Sequence, residues 1–137
     1  MIVAIASGVA ETLVKAAATA APEEACGLLI GQPGRIEAAV PARNVADQPA
    51  RSFEIDPAML LRTHREVRAT GRRVIGHYHS HPNGAALPSR RDAARAIEDD
   101  QLWLIIAAGA VAGFRSVPAA TAGALHGRFL PVTLVAG

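Results

Sequence analysis

Cysteine, lysine and aromatic side chains are nearly missing from this chain. Cys26 is the only cysteine, so no disulfide can form within the chain and a cysteine-built structural zinc site is excluded. Lys15 is the only lysine among 14 basic residues, and aromatics make up 4% of the sequence, so the core must be mostly aliphatic. Twelve acidic residues nearly balance the basic ones, leaving a net charge of +2. No basic run is long enough for the electrostatic footprint of a nucleic-acid binder. No apolar run reaches the roughly 20 residues needed to cross a bilayer. Met1–Ile5 has neither the basic head nor the long apolar stretch of a secretion signal. The expectations are therefore no nucleic acid, no membrane and a cytoplasmic location. A length of 137 residues, half of them apolar, suits a single domain over residues 1–137 with a substantial core.

What is present alternates between strand and helix signals. Ile2–Ala6 is a short apolar strand, broken by Ser7-Gly8. Ser7 is a fitting N-cap for a helix over Val9–Ala20, with Leu13, Val14 and Ala17 as its core stripe. Pro22 stops that helix. Ala25–Ile30 reads as a buried strand, and Gly31-Gln32-Pro33-Gly34 as a hairpin loop leading into Arg35–Val40. Residues 41–50 read as a loop and Ser52–Ile55 as a short strand. Asp56-Pro57 is a strong helix start, carrying a helix to about Ala69 with Met59, Leu60 and Val67 inward. Further strands follow at 72–75 and beyond, at Leu102–Ala107, at Val111–Val117 and at Phe129–Val135; a helix over Ser89–Glu98 separates the first two. Leu102–Ala107 is apolar throughout, as a central strand is. This order predicts an α/β sandwich with a mixed sheet.

The chemistry concentrates in Gly76-His77-Tyr78-His79-Ser80-His81-Pro82. Residues two apart on a strand share a face, so His79 and His81 point one way and Ser80 the other. Two imidazoles on one face can converge on a metal ion. Zn²⁺ accepts neutral imidazole nitrogen and carboxylate oxygen, and a catalytic zinc keeps one position for water. Asp92, separated from His81 by ten residues and in the first turn of the next helix, is the natural third ligand. The same Ser89-x-x-Asp92 spacing is also that of a capping box, which would explain Asp92 without a metal. His77 has the same strand phase as the pair. Three ligands at 77, 79 and 81 would stretch over more than ~13 Å of strand, so His77 is expected at the pocket edge. Ser80 is expected to make an orienting hydrogen bond, Cys26 to be a buried small residue, His64 to lie on the surface and His126 in a loop.

His79-Ser80-His81-Pro82 followed by Pro88-Ser89-x-x-Asp92 resembles the signature of the JAMM/MPN+ metallopeptidases. Upstream, Pro22-Glu23-Glu24-Ala25-Cys26-Gly27-Leu28-Leu29-Ile30-Gly31 resembles the block that carries that family's glutamate. The resemblance implies the family's layered, cytidine-deaminase-like fold, a mixed curved β-sheet flanked by helices. It implies a zinc site of His79, His81 and Asp92, with Glu24 rather than Glu23 as the general base and Ser89 as a donor to the tetrahedral oxyanion. It further implies hydrolysis of the amide bond after the C-terminal Gly-Gly of a ubiquitin-like protein, with sulfur-carrier proteins as the expected partners of so short a chain. A non-catalytic MPN scaffold is the alternative, but such members lose ligands and all the polar positions stand here. A zinc nucleobase deaminase would need His-x-Glu and Pro-Cys-x-x-Cys, which one cysteine cannot supply.

Overall fold

The apolar run Leu102–Ala107 is too uniform for a strand with a wet face, and it lies in the middle of the sheet with all six residues buried. Around it the computed structural model of the chain, describing residues 1–137, orders its elements as follows. They are β1 (Ile2–Ile5), α1 (Val9–Ala20), β2 (Cys26–Gln32), β3 (Arg35–Ala42), α2 (Pro57–Arg68), β4 (Arg73–Ser80), α3 (Arg90–Arg95), β5 (Leu102–Ala107), β6 (Ala110–Ser116) and β7 (Phe129–Ala136).

The strands hydrogen-bond in the order β1-β3-β2-β4-β5-β6-β7, and β1 also pairs β7, so the mixed sheet curls into a closed ring. β1 runs parallel to both neighbours, and β4 runs parallel to β5; the remaining pairs are antiparallel. The seam between β1 and β3 is short, with only Ala4 against Arg35 and Ile5 against Ile36 in register. Closure removes the exposed edges that an open sheet would leave. β4 and β5 approach closely at Gly76, where a Cβ would collide with the Leu102 carbonyl oxygen.

Alternation along β4 and β5 divides the interior into two cores. Tyr78, Leu102, Leu104 and Ile106 pack with Val9 and Leu13 of α1, which bury one helical stripe four residues apart. Trp103 and Ile105 face the other way and pack with Cys26, Phe53, Ala96, Phe114 and Phe129. His77 and His79 project into this second side, where Phe53 and Trp103 lie against them. No helix is long and apolar enough to cross a membrane.

Four local expectations change. Gly8, in the left-handed region at φ 83°, precedes α1 with no side-chain cap, so Ser7 is not its N-cap. Ser52–Ile55 forms no strand beyond a single bridge from Ile55 to Asn44. Its backbone is satisfied by side chains instead: Asn44 Oδ1 accepts from Glu54 N, and Arg95 donates to the Phe53 carbonyl. α3 ends at Arg95 rather than Glu98, because Ser116 Oγ donates to the Glu98 carbonyl and accepts from Gln101 N, drawing that backbone towards β6. In α2 the buried residue is Thr63, with Met59, Leu60 and Val67 only half-buried. Asp56 caps α2 as expected, accepting from Ala58 N at 3.1 Å.

Candidate metal centre

β4 ends at the junction of β2 and α3, and this places three segments around one point. Cys26 stands opposite His79 in the β2–β4 register, which brings Glu24, just before β2, beside the end of β4. Ser80 points away from the histidines, and its Oγ accepts from Ala25 N at 2.7 Å, tying the Glu24 segment to the strand. α3 starts directly over this corner.

His79 Nε2 and His81 Nε2 lie 3.0 Å apart, and Asp92 Oδ2 is 3.2 Å from the first and 3.3 Å from the second. Ligand atoms about 2.0–2.1 Å from a tetrahedral ion sit about 3.3–3.4 Å from one another, so the three atoms already have nearly the spacing of a tetrahedron's face. His81 Nδ1 is 3.1 Å from the Ala85 carbonyl oxygen, which can only accept. The hydrogen of a neutral His81 therefore sits on Nδ1, and the lone pair on Nε2 faces the cluster. Glu24, His79 and His81 also offer donor atoms within 4.8 Å of one another. The donor set fits a divalent ion that takes nitrogen and oxygen ligands.

The capping box and the cluster coexist. Ser89 Oγ accepts from Asp92 N at 3.0 Å, and Asp92 Oδ2 accepts from Ser89 N at 2.8 Å while facing both histidines. Because Ser89 uses its oxygen as an acceptor, its hydroxyl hydrogen stays available. Capping and donation by Ser89 are thus compatible, and the capping box does not exclude Asp92 from the cluster.

Burial sets the protonation of these groups. Glu24 is 8% exposed, and desolvation pushes its carboxyl up to about 7, with Asp92 adding to the rise and His81, Arg91 and Arg95 opposing it. Burial would also raise Asp92, but the hydrogen bonds with His79 and His81 outweigh it and hold that carboxyl well below the usual range. His79 is fully buried and its pKa is lowered mainly by desolvation, which favours the neutral imidazole a metal needs. For His81 the hydrogen bonds to Asp92 and Ala85 outweigh burial and raise the value, so an incoming ion competes with a proton there.

The other candidates lie apart. Glu23 is exposed, whereas Glu24 is buried at the cluster. His77 packs edge-on against Trp103 at 4.2 Å, stands outside the group of converging donors, and is held neutral by burial at about 3. Cys26 is buried and its thiol is pushed up to about 11 by desolvation, so it is no nucleophile. His64 is exposed, and His126, in a turn, lies 3.2 Å from the Pro88 carbonyl.

A family profile described as prokaryotic homologs of the JAB domain matches residues 6–120. The chain belongs to this family. The JAB chain is 35% identical over 86 residues to a desampylase of Haloferax volcanii, covering 61% of this chain and 62% of the relative. It is 39% identical over 72 residues to a probable TtuB-protein conjugate cleaving protease of Thermus thermophilus, covering 53% and 48%. It is 32% identical over 87 residues to a CysO-cysteine peptidase of Mycobacterium tuberculosis, covering 62% and 59%. The matches thus span about half to three-fifths of these relatives' lengths. Among solved structures, a protein from Desulfitobacterium hafniense superposes with a TM-score of 0.82 at 25% identity, covering 100% of this chain and 93% of that one. A JAB1/MPN domain protein from Archaeoglobus fulgidus superposes at 0.59 with 18% identity and 97% of each chain covered, a likeness of fold. The fold is the α/β JAB/MPN fold.

Two supports of the JAB centre escape a reading of motifs alone. Asn44 Nδ2 reaches the carbonyls of Glu24 at 3.0 Å, Ser52 at 3.0 Å and Pro49 at 3.3 Å, while its Oδ1 accepts from Ala46 N and Glu54 N. Phe53, in the segment so clamped, stacks on His79. Asn44 sits in a loop where a lone asparagine is unremarkable, and only the long-range contacts distinguish it.

Proposed function

We propose that the chain, acting as one catalytic domain over residues 1–137, is a zinc-dependent peptidase or isopeptidase. Its substrate would be the amide bond that follows the C-terminal Gly-Gly of a ubiquitin-like or sulfur-carrier protein. The observation that carries this reading is the convergence of His79 Nε2, His81 Nε2 and Asp92 Oδ2 at 3.0–3.3 Å with the Glu24 carboxylate alongside. The substrate class is supported by the relatives, a probable TtuB-protein conjugate cleaving protease and a CysO-cysteine peptidase.

His79, His81 and Asp92 would hold the ion. A bound zinc supplies Lewis acidity to a carbonyl and acidifies water at its open position. Glu24, raised to about 7 by burial, is matched to take a proton from the attacking water near neutral pH and to return it to the departing amine. The Ser89 hydroxyl, fixed by the helix cap, donates to the oxygen on which negative charge develops. Asp92, held ionised by the two histidines, keeps its charge through the cycle. The polar set is complete, which weighs against a scaffold without chemistry.

The test is Glu24→Gln beside Glu23→Gln, assayed on a carrier ending in Gly-Gly-Cys with metal content measured on the same samples. Glu24→Gln should keep its zinc and lose ~10²–10⁴-fold in rate, while Glu23→Gln stays near wild type. Two active variants would remove the glutamate from the mechanism.

A further inference from the structure

The centre opens into a cleft of ≈ 310 Å³ whose wall includes Glu24, His81 and Ser89 together with two arginines, Arg51 and Arg91. Neither arginine is among the residues that would hold the ion or move the proton. Elsewhere the guanidinium groups with close carboxylate partners are spoken for: Arg35 and Arg72 pair with Glu37, Arg115 with Asp100, and Arg128 with Asp99. Arg95, the third arginine near the centre, is spent on Ser52 Oγ and the Phe53 carbonyl. Several other arginines also lack a carboxylate within ion-pair distance, but of these only Arg51 and Arg91 line the cleft, and they stay unpaired although Glu24 and Asp92 belong to the same corner. Arg91 Nη1 donates to the Arg51 carbonyl at 2.9 Å, which fixes the Arg91 side chain against the backbone of the 51 turn.

We propose that Arg51 and Arg91 bind the free α-carboxylate of the residue that leaves, so that the cleft selects a carrier extended by a terminal amino acid over one joined to a lysine side chain. This rests on the peptidase reading above and adds the residues that recognise the leaving group. A cleft of ≈ 310 Å³ is about 7 Å across, the reach of two extended residues at about 3.3–3.6 Å each. A terminal residue after the scissile bond therefore places its carboxylate within the same cleft as the reacting carbon. Guanidinium groups meet carboxylates through paired, charge-assisted hydrogen bonds, and two of them flanking a cleft define both charge and direction. A lysine in isopeptide linkage has its carboxyl locked into a neutral backbone amide, and it would leave both arginines unpaired.

The test uses the zinc-loaded full chain and two peptides ending in Gly-Gly-Ala, one with a free carboxylate and one with a terminal carboxamide. Hydrolysis is followed as kcat/KM, and binding is followed separately by calorimetry on Glu24→Gln. Wild type should favour the acid by about tenfold, mostly through KM, a size expected for a charge-assisted pair at a partly solvated site. Arg51→Gln and Arg91→Gln should each shrink the preference, and the double variant should bring it near one. Arg90→Gln, which removes the same charge from an exposed position on α3 outside the cleft, should keep it. Equal treatment of acid and amide by wild type, or a preference that survives in the double variant, overturns the subsite. If neither peptide is cleaved, the peptidase reading fails by itself. Calorimetry then still decides the subsite: tighter binding of the acid supports it, and equal or absent binding overturns it.

Discussion

The Phe53 ring stacks on the His79 imidazole with centroids 4.3 Å apart and planes 19° from parallel. A metal-ligating histidine is ordinarily oriented by a hydrogen bond from its second nitrogen, but His79 Nδ1 is buried without any partner. Ring orientation therefore falls to the stacked Phe53 and to Trp103, edge-on at 6.0 Å. Phe53→Ala should weaken zinc binding by about tenfold, the lower end of what the loss of an orienting contact costs. Phe53→Leu, which keeps bulk but not a flat face, should fall between. Competition against a chromogenic chelator reads both, and an unchanged affinity in Phe53→Ala would show that the β4 backbone alone aims the ring.

Glu24 should destabilise the metal-free fold. Its carboxyl titrates at 4.5 when unfolded and about 7 when buried, so between those values the folded state binds more protons and stability falls as pH rises. At about 1.4 kcal/mol per tenfold change in proton affinity, the full penalty above neutrality is about 3 kcal/mol. Glu24→Gln should thus be more stable than wild type by roughly 2–3 kcal/mol at pH 8 and equal to it at pH 4. Urea unfolding of the metal-free proteins at both pH values measures this, and comparison at matched pH cancels the titration of Asp92. A variant no more stable at pH 8 would mean that the carboxylate is already solvated.

The proposed ligands and their neighbour His77 should separate by metal content. His81→Ala removes one of three converging donors and should bind zinc poorly under conditions free of excess metal. His77→Ala should bind one zinc per chain, since His77 packs on Trp103 rather than into the cluster. It should instead lose about 1–3 kcal/mol of stability, as deletion of a packed ring does. Loss of zinc from His77→Ala equal to that from His81→Ala would mean that the histidine pair had been misassigned.

Local patterning made the centre readable before its surroundings. Two histidines on one face need only strand periodicity, and Asp92 needs only a helix start, so both follow from neighbours in sequence. The buried run of β5 is equally local. Ring closure is not, because β1 meets β7 across the whole length of the chain and nothing in Ile2–Ile5 encodes that partner. The shortened α3 and the missing strand at residues 52–55 have a common cause. Ser116, Arg95 and Asn44 supply the backbone partners that a longer helix or a strand would have supplied. Cys26, expected from sequence as a buried small residue, is buried.

Asn44 is the position where this tertiary bonding is most concentrated, and its amide should be irreplaceable. The Nδ2 group is the donor to the carbonyls of Glu24 and Ser52, and so holds the Glu24 and Phe53 segments to one side chain. The Oδ1 atom accepts from Ala46 N and Glu54 N on the same loop. Asn44→Ala leaves these partly buried groups unpaired, and at 1–3 kcal/mol for each unsatisfied group that stays dry, a total loss of about 2–4 kcal/mol is expected. Asn44→Asp separates the two halves of the role. It keeps the acceptor and the shape, but it sets a carboxylate oxygen against three carbonyl oxygens and close to Glu24. If bonding rather than filling matters, Asn44→Asp should unfold at least as easily as Asn44→Ala, and its residual folded fraction should bind zinc more weakly than wild type. Urea midpoints and chelator competition measure the two effects on one preparation. An aspartate variant with wild-type stability and affinity would show that the loop is held by the backbone bridges alone, and that Asn44 merely occupies its place.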